Sequence, residues 1–283
     1  MSDWRGRAFV WLQHVLPQHA VSRIILAATR VQTPWFKNTL TRGFLQLFSV
    51  DMREAVEPDP YRYVSFNAFF TRSLRPEARP IDPGADTIAS PVDGMVSECG
   101  PIEGNRLLQA KGRHYTLDEL LAGQPWGGRF AGGSFATIYL APFNYHRIHM
   151  AVRGTLKDTV FVPGRLFSVN AVTAQYVPRL FARNERVLTL FDTAFGQFAL
   201  VMVGALNVGS MATVWAGDIT PAATREVTRI DGPPLTLDKG AELGRFNMGS
   251  TVILLFEPDR VRWHPLLRAG SVVQLGQALG SGA

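Results

Sequence analysis

From about residue 87 onward, short apolar runs recur every ten or so residues, each bounded by Gly, Pro, Asn or Asp. They cover 94–96, 135–140, 159–162, 186–190, 198–203, 211–214 and 251–256. Runs this short and this regularly punctuated predict antiparallel strands in a sandwich or barrel. Helical exceptions are few. LDELLAG (117–123) carries Thr116 as an N-cap with Glu119 at the third helical position, and 173–182 is a second candidate.

The first 80 residues have a different texture. Apolar positions recur at three- and four-residue steps through 8–16, 21–31 and 35–50, broken by Pro17 and by the Thr33-Pro34 step that suits a helix start. SFNAFFTRSL (65–74) reads as a further short helix, and RPEARPIDPGAD (75–86) as a linker. The expected fold class is therefore α+β: a helical arm over 1–80 packed on a β-rich, sandwich- or barrel-like body over 81–283. A chain of 283 residues has room for one large domain and such an appendage.

Residues 193–217 carry no charge and would attract a hydropathy search. Gly204, Asn207, Gly209 and Ser210 interrupt them, so they read as two buried strands and a turn, not a spanning helix. The N-terminus has its apolar stretch broken by Gln13, His14 and Pro17, unlike a signal sequence. Cys99 is the single cysteine, which excludes an internal disulfide and suits a compartment where thiols stay reduced.

The net charge of +6 is unevenly placed. Residues 1–50 hold Arg5, Arg7, Arg23, Arg30, Lys37 and Arg42 against the single acid Asp3, a local +5, interleaved with Trp4, Phe9, Trp11, Ile24, Trp35 and Phe36. Cations among bulky apolar side chains at helical spacing suit a membrane interface with anionic head groups. A solvated basic face on ordinary core helices is the alternative. Nucleic acid is not expected as a partner, because the cations come singly and no nucleic-acid motif accompanies them.

Three segments contain chemistry-bearing residues. SPVDGMV (90–96) sets Asp93 on an Asp-Gly step, which by itself describes an ordinary hairpin turn. NYHRIHM (144–150) holds His146 and His149, two of only six histidines. No third ligand is apparent beside them, so no metal is expected, and buried hydrogen-bonded histidines are the plain reading. In GRFNMGSTVILLF (244–256), Gly249 and Ser250 open an apolar strand. Asp93, His149 and Ser250 are together the parts of a nucleophilic triad, without a G-x-S-x-G elbow around the serine.

GSTVILLF resembles the self-cleavage segment of the phosphatidylserine decarboxylases. The resemblance spans essentially the whole chain and includes FNAFFTRSLRPEARPID (66–82), SPVDGMV, LQAKGRHYTLDELLAG (108–123), NYHRIHM, VPGRLFSVN (162–170), LFARNERV (180–187), VGALNVGSMATVWAG (203–217) and MGST (248–251). Met248 departs from the Leu that bacterial members commonly carry, a change between apolar residues of similar size.

The resemblance implies a zymogen that cuts itself between Gly249 and Ser250 into chains 1–249 and 250–283. Ser250 would become a covalent pyruvoyl group, the family's cofactor, which binds the substrate amine as a Schiff base while phosphatidylserine loses carbon dioxide to become phosphatidylethanolamine. By the same matching, Asp93 and His149 resemble the autocleavage pair, and His146 the histidine that handles substrate. The chemistry suits these residues. Imidazole near neutral pH can take the proton of a serine hydroxyl, and a carboxylate can orient the imidazole and stabilise its charged form. A proton returned to the substrate carbon is the role expected of His146.

A diacyl lipid leaves a bilayer only at about 0.8 kcal/mol per exposed CH₂, so the enzyme must work at the membrane surface. Phosphatidylserine in an anionic membrane is thus the expected partner, beside the cleaved small chain, and the expected location is peripheral, on the cytoplasmic face of the cell membrane. Whether two copies pair as a homodimer stays open. So do two other readings: a Ser-His-Asp hydrolase working at the membrane, which leaves the chain intact, and a non-enzymatic membrane-binding β module. Lys111, Arg165, Asn170, Arg183 and Arg186 lie in the matching blocks, where each suits either a phosphate or carboxylate contact or a structural ion pair.

Overall fold

Pro17 and Pro34 divide the N-terminal region into three helices. These are α1 (Asp3–Val15), α2 (Gln18–Thr29) and α3 (Pro34–Leu47), the last with its proline in the first turn where no backbone donor is lost. The computed structural model describes residues 3–206, 210–220, 224–248 and 250–283. A short α4 (Phe66–Phe70) follows, capped by the Ser65 hydroxyl, which accepts from the Ala68 N–H. It buries Phe66, Phe69 and Phe70 against Leu40, Phe44 and Leu45 of α3.

Two buried glutamines fasten this arm to the body. Gln13 Oε1 accepts from the Ser168 N–H at 2.7 Å, and Gln18 Oε1 from the Leu166 N–H at 2.9 Å. Gln13, which interrupts the apolar pattern of α1, is thus an anchor for a buried backbone donor.

The body is β-rich, as expected, and its principal sheet is antiparallel and nine-stranded. Along it run Thr228–Arg229, Gly154–Val162, Arg186–Thr193, Gly196–Val203, Thr251–Phe256, Ser134–Tyr139, Gly94–Pro101 and Val272–Val273, with Thr236–Leu237 also on Gly154–Val162. Thr251–Phe256 lies in its middle, paired on both sides and buried at every position. That explains why its sequence is continuously apolar and does not alternate. A four-stranded sheet runs in the order Gly217–Asp218, Met211–Thr213, Glu242–Phe246, Arg147–His149, and a three-stranded one in the order Thr87–Ala89, Ala278–Gly282, Val261–Trp263, each strand paired with its neighbours. Among the described residues no pairing closes a barrel.

The uncharged stretch forms two buried strands, Gly196–Val203 and Met211–Thr213, which belong to different sheets. Asn207 and Gly209 of its expected turn lie outside the described residues. No described helix is long and apolar enough to cross a membrane. The capping box of α5 (Leu117–Leu121) forms as read, and the 173–182 candidate resolves into α6 (Ala171–Tyr176) and α7 (Leu180–Arg183). The Cys99 thiol is half-buried, donates to the Leu267 carbonyl, and has its pKa raised by burial.

Candidate active site

Ser250 sits at the mouth of the central strand, where its carbonyl accepts from the Leu140 N–H at 2.8 Å. It is fully buried, and its hydroxyl has no hydrogen-bond partner among the described residues. Buried hydroxyls are mostly paired; Ser250 shares this unpartnered state with Thr251 and Thr137 and is set apart by its place at the start of the central strand. Gly249 lies outside the described residues.

His149 ends the strand Arg147–His149, which pairs with Glu242–Phe246, the segment leading into the serine, and His146 immediately precedes that strand, its carbonyl accepting from the Phe246 N–H. His146 Nδ1 lies 2.8 Å from the Asn144 carbonyl and His149 Nδ1 2.7 Å from that of Gly240. A carbonyl only accepts, so both rings carry their proton on Nδ1 and present an unprotonated Nε2. In His149 that nitrogen accepts from the Tyr145 hydroxyl at 3.1 Å. In His146 it is buried without a partner, and the ring lies 4.2 Å from that of Phe70. Burial pushes the His146 pKa down to about 3, opposed by the Asn144 carbonyl and reinforced by the Arg72 charge. Burial also lowers His149, while the Gly240 carbonyl, Glu242 and Asp93 pull the other way.

Asp93 is close to His149 through the backbone, since the His149 N–H donates to the Pro91 carbonyl at 2.8 Å. Its carboxylate, however, is turned to other partners. Arg79 donates Nε and Nη2 to Asp93 at 2.7 to 3.1 Å and its other face to Glu54, and the Leu275 N–H donates to Asp93 Oδ1 at 2.8 Å. The Gly240 carbonyl, rather than Asp93, sets the His149 tautomer. Nor is Asp93-Gly94 a hairpin turn, because the strands on either side belong to different sheets. Gly94 is needed for close approach: a Cβ there would lie 2.5 Å from the Tyr139 carbonyl oxygen.

Sequence reasoning missed the part played by α4. Asn67 Nδ2 donates to the Asn247 carbonyl and side chain, Phe70 covers His146, the Thr71 carbonyl accepts from Arg147, and Arg72 points into the space beside Asp93. The signal was present as FNAFFTR, whose polar members look like surface residues of an amphipathic helix.

Two cavities adjoin the site. One, of about 350 Å³, is lined by Phe9, Phe44, Phe48, Phe70, Leu140 and Met248, and so brings the helical arm to the serine's neighbours. The other, of about 160 Å³, is polar and lined in part by Arg72, Arg79, Asp93 and Tyr145. Of the residues left open by the sequence, Arg186 is buried and donates to four carbonyls, and Asn170 caps α6. Arg165 donates to the His14 carbonyl, Arg183 lies over Phe167, and Lys111 donates to Gln175 in a separate groove beside α1. No cluster of three metal-binding side chains occurs among the described residues.

A family model described as phosphatidylserine decarboxylase matches residues 66–281, and a second, described as PSD, matches 8–49. The chain is 52% identical over 283 residues to a phosphatidylserine decarboxylase proenzyme of Pseudomonas fluorescens, covering 98% of each. It is 52% identical to the proenzyme of Stutzerimonas stutzeri, over 99% of this chain and 96% of that one. The Methylococcus capsulatus proenzyme is 49% identical, over 97% and 96%.

Proposed function

The chain belongs to the phosphatidylserine decarboxylase family, and from that premise we propose that it cleaves itself at Gly249-Ser250 to make the pyruvoyl group with which it decarboxylates phosphatidylserine. The observation that carries this reading is the Ser250 hydroxyl, buried and unpartnered at the start of the central strand.

His149 takes the hydroxyl proton on Nε2, its Nδ1–H remaining on the Gly240 carbonyl. The freed oxygen attacks the Gly249 carbonyl carbon, the C–N bond breaks as the imidazolium returns the proton to the departing nitrogen, and an ester joins the two chains while Ser250 gains a free amine. Loss of the Ser250 α-proton then expels the Gly249 carboxylate and leaves a dehydroalanyl end. Water adds to this end and ammonia leaves, giving the ketone. Asp93 acts through its charge, favouring the imidazolium that forms on His149.

The pyruvoyl group supplies an electron sink for the pair left behind as carbon dioxide departs. His146 presents a buried, unprotonated and unpartnered Nε2. It accepts the proton that the substrate ammonium sheds, then returns it to the carbon from which carbon dioxide has left.

The arm brings the enzyme to its substrate. Trp4, Trp11, Ile24, Trp35 and Leu47 project from α1–α3 into solvent, with Arg7, Arg23 and Arg42 exposed among them. This surface suits peripheral attachment to an anionic leaflet. A hydrolase is disfavoured by the burial of Ser250 and by the commitment of Asp93 to Arg79.

Intact mass under denaturing conditions tests the reading, together with release of carbon dioxide from phosphatidylserine vesicles. Expected are two chains divided at 249/250, the smaller one light by one ammonia. A single 31.2 kDa chain that releases no carbon dioxide would overturn it.

A further inference from the structure

Arg72 is 5% exposed, yet among the described residues its guanidinium makes no hydrogen bond and no ion pair, and its Nε is buried without a partner. Its one recorded contact is with the Phe69 ring, whose centroid lies 5.9 Å away. Other arginines of low exposure are saturated: Arg186 by four carbonyl bonds, Arg79 by Asp93 and Glu54, and Arg147 by Glu242 and the Thr71 carbonyl. A guanidinium keeps its charge, and burying it unpaired is unfavourable, so such a group is retained for a counter-ion that arrives from outside.

The polar cavity of about 160 Å³ is where that ion would enter. The acids lining it are already engaged: Asp51 on Arg53, and Glu54 and Asp93 on Arg79. Arg72 is the cation in that lining without such a partner. The cavity also adjoins the reacting groups. Asn144 lines it and holds the proton of His146 Nδ1, and Phe70, two residues before Arg72, covers the His146 ring.

We propose that Arg72 is the oxyanion subsite for the substrate head group, its guanidinium fork receiving an anionic oxygen of the phosphodiester or of the carboxylate. The inference rests on the phosphatidylserine reading of this site. Occupation has a consequence for catalysis. Arg72 opposes protonation of His146 in the empty site, and an anion on Arg72 removes that opposition when substrate is present. Between the two sources, the phosphodiester keeps its charge throughout the reaction. The carboxylate loses its charge as carbon dioxide forms, so a grip on it would favour the ground state.

The test uses the full-length, self-processed enzyme and its Arg72→Gln and Arg72→Lys variants. Thermal melting is followed with glycerophosphoethanolamine, which carries a phosphodiester only, and with N-acetylserine, which carries a carboxylate only. Expected is a rise in wild-type melting temperature with one probe, absent in Arg72→Gln and partly restored in Arg72→Lys. A rise with the first probe assigns the phosphodiester, and a rise with the second the carboxylate. In turnover, Arg72→Gln should raise KM about tenfold or more with self-cleavage intact by mass. No rise with either probe, or one that persists in Arg72→Gln, would overturn the subsite. A chain that never cleaves yet binds a probe through Arg72 rejects the decarboxylase reading and keeps the subsite. A decarboxylase whose KM ignores Arg72→Gln does the reverse. If Arg72→Gln fails to fold, Arg72→Lys carries the comparison, since it keeps the charge and loses the fork.

Discussion

Asn67 Nδ2 donates to the backbone carbonyl of Asn247 at 3.0 Å and to its side-chain oxygen at 3.2 Å, joining α4 to the residue three before Ser250. The other side of Asn247 is held as well. Its N–H donates to the Ser210 carbonyl and its Nδ2 to Asp218, which is paired in turn with Arg30 just beyond α2. The approach to the serine is therefore clamped between the helical arm and the four-stranded sheet.

If that clamp positions the scissile segment, Asn67→Ala and Asp218→Ala should slow self-cleavage while leaving the fold intact. A misplacement of about 1 Å costs up to about 10²-fold in a positioned reaction. The appearance of the two chains after cell-free synthesis gives the rate directly. Time courses matching wild type would reduce both residues to packing.

Arg79 bridges Glu54 and Asp93 with little exposure of its own. Arg79→Met should destabilise the protein by about 3–5 kcal/mol, because the buried Asp93 loses its ion pair and keeps the Leu275 N–H as its hydrogen-bond donor among the described residues. Urea denaturation at pH 7 measures this, and a loss below 1 kcal/mol, within the range of an exposed ion pair, would show that the bridge contributes little.

His146 sets a pH dependence whose sign is fixed by burial. A free imidazole titrates near 6.5, whereas the folded ring is pushed down to about 3. Between those values the unfolded chain binds a proton that the folded chain refuses, so stability falls as pH drops, by up to about 1.4 kcal/mol per unit. Glu185, raised by burial to about 7, contributes in the opposite direction, but it does so equally in wild type and variant. His146→Asn should therefore lose less stability than wild type between pH 7.5 and pH 5. Parallel urea midpoints across that range would contradict a buried neutral ring.

The arm's exposed cations differ in their engagements. Arg30, though exposed, is paired with Asp218, and Lys37 donates to Asn38 and to the Tyr61 carbonyl, whereas Arg23 and Arg42 lie exposed on α2 and α3. Replacing Trp4, Trp11 and Trp35 by Ser, or Arg23 and Arg42 by Gln, should weaken sedimentation with phosphatidylserine vesicles. Arg30→Gln should leave it largely unchanged, and equal losses from Arg30→Gln and Arg23→Gln would mean that the ion pair opens at the membrane.

Much of this was legible along the chain. The apolar runs at 135–140, 186–190, 198–203 and 251–256 are strands, and the proline-punctuated arm is helical, because side-chain periodicity and turn chemistry act over a few residues. That Asp93, His146, His149 and Ser250 lie in short polar motifs beside apolar strands was readable too. Their hydrogen-bond partners were not. FNAFFTR reads as one amphipathic turn whether or not Asn67 meets a residue 180 positions away.

What the sequence determined by itself, then, was the set of elements and the candidate polar side chains placed at their ends. The tertiary structure alone decided that Gly240, 91 residues on, sets the His149 tautomer, that Arg79 claims Asp93, and that Arg72 is left with a buried and unanswered charge. The reason is one of range. Periodicity is enforced by neighbours in the chain, whereas the partner of a buried polar atom is chosen by which sheets stack and in what register, and every contact in the fold bears on that choice.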